Sequence, residues 1–116
     1  MFNIKSLTTL TSGLVVFGQL SESDNVYRIT PSAAATITLP AAASETGRCI
    51  RILTGTNNYT VTVNTKAGDF IAFSGNAGTA TSVSNTSISY ANISFVSMDA
   101  TVWQVLDVSG TFADFI

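Results

Sequence analysis

The chain has 116 residues, with seven acidic and five basic side chains, no histidine and a net charge of −2. Such a length makes one domain, residues 1–116, which buries roughly 65% of its unfolded surface, enough for a single sandwich core. Lys5, Arg28, Arg48, Arg51 and Lys66 are scattered, which excludes the basic stripe of a nucleic-acid binder and the basic amphipathic helix of a membrane-surface protein.

Only 10% of residues are charged, while 46% are apolar. The polar remainder is mostly Ser, Thr, Asn and Gly. Depletion of charge marks surfaces that are covered in assemblies, so the composition predicts association with copies of the chain or with a partner. Cys49 is the sole cysteine. No intrachain disulfide can form, and with no histidine to activate it the thiol reads as a small hydrophobe.

Residues 1–12 (MFNIKSLTTLTS) read as an extended arm or short strand, because Thr8, Thr9 and Thr11 disfavour a helix. The apolar run Leu7–Leu20 is too short and too polar to span a bilayer, and it lacks a small-x-small cleavage site. Strands follow at Gly13–Leu20, Val26–Thr30 and Thr36–Leu39, the last two closed by Pro31 and Pro40. Ala41–Thr46 reads as a helical turn, and Gly47 permits the reversal after it.

Gly47–Ile71 is the clearest stretch. In Arg48–Leu53 and Tyr59–Asn64 apolar and polar residues alternate with period two, as in half-buried strands. Thr54–Asn58 (TGTNN) has turn composition, which predicts a hairpin between the two. Lys66–Asp69 (KAGD) is a turn with Gly68 left-handed and Asp69 bonding local backbone. Phe70–Phe73, Thr79–Ser84, Ser87–Tyr90, Asn92–Met98 and Thr101–Asp107 are further strands, and the last two form a hairpin across Asp99 and Ala100. The fold expected is all-β: a jelly-roll-like antiparallel β-sandwich of nine or ten short strands.

Chemistry is sparse. A glycosidase needs two carboxylates facing one cleft, but Asp69, Asp99 and Asp107 each lie at or beside a predicted turn. Glu22 and Asp24 lack calcium-loop spacing. No P-loop, dinucleotide fingerprint, CxxC or GxSxG occurs. No catalytic residue, cofactor, metal or small-molecule substrate is expected. Trp103 and Tyr59 alternate in phase with aliphatic residues and read as core.

Three segments in order, TITLP…GRCIRIL from Thr36 to Leu53, YTVTV…AGDFI from Tyr59 to Ile71 and SFV…TVWQVLDVSGT from Ser94 to Thr111, resemble a module of tailed-bacteriophage virion proteins: head fibres, capsid cement proteins and tail-fibre tips. The resemblance implies a small trimeric β-sandwich with no enzymatic activity. A free-standing chain of this size fits a cement protein, made in the host cytoplasm, that reinforces contacts between major capsid subunits on the virion surface. The alternative is a tail-fibre tip that recognises a host glycan or receptor. The first reading places the subunit and partner interface at Phe2, Ile4, Leu7, Leu10, Arg51, Phe112, Phe115 and Ile116; the second places loop recognition at Asn57, Asn58 and Tyr59.

Overall fold

The computed structural model describes residues 4–7, 14–16, 26–29, 34–55, 59–73, 79–86, 89–109 and 112. Ten strands occur among them: β1 (Ile4–Leu7), β2 (Leu14–Val16), β3 (Val26–Ile29), β4 (Ala35–Thr38), β5 (Cys49–Thr54), β6 (Thr60–Asn64), β7 (Phe70–Ala72), β8 (Ser82–Thr86), β9 (Asn92–Ser97) and β10 (Val102–Ser109). A 3₁₀ turn covers Ala42–Ser44, where a helical turn was expected.

The strands form a six-stranded sheet, ordered β1-β3-β5-β9-β10-β7, and a four-stranded sheet, ordered β2-β4-β6-β8. From β1 to β9 the chain changes sheet at every connection. As far as β6, next-but-one strands lie side by side and run in the same direction. Five of the eight pairings are parallel and three are antiparallel. The all-β, two-sheet expectation holds, but the antiparallel arrangement is corrected to a mixed one. Alternation dictates which face of a strand is buried and says nothing of its neighbour's direction.

The same reasoning corrects the first expected hairpin. β5 and β6 belong to different sheets. At its end, β5 is tied to distant backbone instead: Thr54 N–H donates to Ala91 O (2.9 Å), and Gly55 N–H to Ile29 O (3.2 Å). The chain thus leaves one layer after Gly55 and enters the other at Thr60, with residues 56–58 of the TGTNN stretch outside the described residues. The second hairpin forms as expected, with β9 and β10 antiparallel and an irregularity between Val105 and Asp107. Asp99 Oδ1 accepts Thr101 N–H at its turn (3.0 Å). Ser89 and Tyr90, expected at the end of a strand, lie in a turn.

Both sheets bury alternate residues in one core. Tyr27, Ile29, Ile50, Ile52, Ile93, Phe95 and Trp103 come from the six-stranded sheet, and Ile37, Val61, Val63 and Val83 from the other. Each fully buried aliphatic side chain contributes on the order of 1.5–3 kcal/mol. Phe112 is buried in the same cluster, its backbone bridged to Asn85.

Candidate interaction surfaces

A few residues from each of the three resembling segments meet at one corner. Trp103 is fully buried and its indole N–H donates to Pro40 O (3.1 Å). Asp69 is nearly buried and accepts Ala42 N–H (2.8 Å) from 27 residues away. Ser97 Oγ donates to Ala42 O (2.7 Å), and Gly47 N–H donates to Ser97 O (2.8 Å). Gly47 and Gly68 take φ of 85° and 91°, a region that glycine enters without a Cβ penalty. Asp69 therefore differs from its expected local role: its carboxylate holds a distant turn, while only its backbone closes the KAGD turn onto Lys66 O. This carboxylate is a structural acceptor within the corner.

Phe2, Leu10, Phe115, Ile116, Asn57 and Asn58 lie outside the described residues. Ile4 and Leu7 belong to β1, an edge strand paired in parallel with β3, so this part of the expected arm lies in the chain's own sheet. Phe112 is 2% exposed; the core consumes its ring, and as an interface residue it is corrected. Arg51 keeps a half-exposed side chain. Its Nε donates to Ser94 Oγ (2.7 Å), and its guanidinium lies 3.5 Å from Asp107 Oδ2. This ladder crosses β5, β9 and β10 on the outer face of the six-stranded sheet.

Trp103 is core, as expected. Tyr59 is 40% exposed, which corrects its core reading: it precedes β6, where the chain is still rounding the corner from the other sheet. Tyr90, which the sequence did not single out, is 75% exposed with φ of 59°. A bulky residue in the left-handed region is an outlier that the surroundings must hold in place. Here Tyr90 N–H donates to Gly55 O (3.0 Å), and Ala91 N–H to Thr54 Oγ1 (2.9 Å).

The outer face of the four-stranded sheet is of another kind. Thr36, Thr38, Thr60, Thr62, Asn64, Ser82 and Ser84 are half-buried there, alternating with the core residues beneath. Thr36, Thr62 and Ser84 form one cross-strand row, and Thr38, Asn64 and Ser82 a second. Thr62 and Ser84 share a hydroxyl–hydroxyl bond of 3.1 Å.

Among the described residues no group of three His, Cys, Asp or Glu could hold a metal ion, and no helix is long and apolar enough to cross a membrane. Comparison with protein-family models, with curated proteins and with solved structures gives no match.

Proposed function

We propose that the chain is a non-enzymatic structural protein of a tailed-phage virion. In this reading it is a capsid cement protein that binds as a homotrimer to the outside of the shell and joins neighbouring major capsid subunits. The supporting observation is the Pro40–Ala42 corner. Pro40, Gly47, Asp69 and Trp103 are among the residues of the three segments that resemble virion modules, and hydrogen bonds through Ala42 and Ser97 link them. The low charge of the chain agrees with extensive covered surface.

Packaged DNA pushes the shell outward, so reinforcement comes from added buried area. A standard contact buries about 1,600 Å². Three linked contacts reinforce one another through effective concentration, so each can be individually modest. Labelling the chain in purified virions tests the reading. Density distributed over the capsid surface supports it; density at the tail tip alone, or none in particles, refutes it.

A second reading, a tail-fibre tip that recognises a host glycan or receptor, is favoured by Tyr59 and Tyr90. Both are exposed, and Tyr90 is held to Gly55 at the corner that leads to Tyr59. Exposed aromatic faces suit stacking on sugar rings. Under this reading Tyr90→Ala keeps the fold and abolishes binding to host cells. Unchanged binding by the variant removes it.

A further inference from the structure

Neutral hydroxyls and an amide cover the outer face of the four-stranded sheet, and two of them, on Thr62 and Ser84, bond each other. The geometry points to this face as the surface through which copies of the chain pack against each other. The inference deepens the homotrimer reading above and rests on it.

Three features support it. First, none of the four strands contains a charged residue: they read LVV, ATIT, TVTVN and SVSNT. A solvated sheet face normally carries charge on its outward positions. The strands of the other sheet include Lys5, Arg28, Arg51 and Asp107, so the chain's few charges fall elsewhere.

Second, the face is complementary to itself. Rotational symmetry brings equivalent residues close around its axis. A side chain of fixed charge then meets its own sign, which is destabilising. A hydroxyl or a carboxamide both donates and accepts, so it can bond its own copy. The Thr62–Ser84 bond already shows two such groups pairing across strands.

Third, the face is regular. Strands lie ~4.8 Å apart, and same-face residues along a strand ~6.8 Å apart. The registers β4–β6 and β6–β8 run without interruption, so the outward groups fall on a regular grid. In a closed trimer these rows can line the threefold axis, where each copy presents the same spacing to the next. Threonine also suits the purpose, because its β-branched side chain has little rotamer freedom to lose and its methyl group adds apolar area.

Sedimentation equilibrium on the full chain tests this. The unmodified protein is expected to be oligomeric. Thr62→Arg and Thr38→Arg should fall toward the monomer mass of 12.1 kDa, with self-association weakened at least ~100-fold by like-charge juxtaposition. They should keep the circular dichroism of the folded protein and melt at a temperature that no longer depends on protein concentration, and Gln104→Arg on the opposite sheet should stay assembled. An oligomer that survives both face substitutions overturns this inference and leaves the homotrimer reading standing. An unmodified protein that is monomeric at on the order of 100 μM overturns both. Dilution of the unmodified protein gives a readout that needs no variant: amide resonances of β4, β6 and β8 should shift with concentration while those of β9 and β10 hold. The reverse pattern also refutes the inference.

Discussion

The Pro40–Ala42 corner and the outer face of the four-stranded sheet use polar groups in opposite ways. At the corner each group has a designated partner from a distant part of the chain: Trp103 with Pro40, Ser97 and Asp69 with Ala42. On the face, hydroxyls and an amide are repeated at strand spacing, and the Thr62 and Ser84 hydroxyls bond across neighbouring strands. The difference teaches where substitutions are felt. A buried polar group left without its partner carries the full desolvation penalty. A half-exposed hydroxyl can return to water. The corner therefore governs whether the chain folds, and the face governs what the folded chain meets.

Substitutions can break this contrast at several levels. The largest loss is expected for Trp103→Ala, which empties a fully buried indole site and orphans Pro40 O. It should cost about 3–5 kcal/mol and lower the melting temperature by more than ~12 °C. Asp69→Ala leaves Ala42 N–H without its acceptor and should cost about 1–3 kcal/mol by urea titration, whereas Asp69→Asn keeps a carbonyl oxygen and should cost less. Gly68 and Tyr90 form a matched pair of left-handed residues. An added Cβ at Gly68 meets nothing within 4 Å, so Gly68→Ala should lose about 1–2 kcal/mol through backbone conformation alone, and Tyr90→Gly should gain a similar amount. Arg51→Ala removes a half-exposed ion pair and should change stability by less than ~1 kcal/mol. The smallest effect belongs to the face, where Thr62→Ala should stay within about 0.5 kcal/mol of the unmodified protein. A Thr62 variant that melts as early as an Asp69 variant would erase the contrast.

Much of the fold was legible where the signal is local. Alternation located β5, β6, β9 and β10, Gly68 marked its own turn, and Trp103 read as core from its phase with Val105. Pairing was not legible, because the TGTNN composition fits a hairpin turn and a corner between sheets equally well. Parallel neighbours such as β3 and β5 are separated by a whole strand of the other layer, a relation no local pattern carries. Asp69 illustrates the same limit: its acidic side chain beside a glycine suggests a local cap, yet its partner is 27 residues away. Tyr59 and Tyr90 were misplaced because phase with a strand stops being informative where the chain turns a corner. The hydroxyl grid did have a signal, the recurrence of T-x-T, T-x-T-x-N and S-x-S in strands that prove to be neighbours. Its meaning emerges only once the registers set the rows side by side.

The central claim, that residues scattered from Pro40 to Trp103 form one cooperative frame, is tested most directly by amide and indole hydrogen exchange in the unmodified protein. Ala42 lies in a 3₁₀ turn and would ordinarily exchange quickly, as surface turns do. The Ala42 N–H and the Trp103 indole N–H are predicted to exchange only with global unfolding, at the rate of the Phe95 amide in the centre of the six-stranded sheet. Exchange of either at the rate of an open turn, orders of magnitude ahead of Phe95, would contradict it.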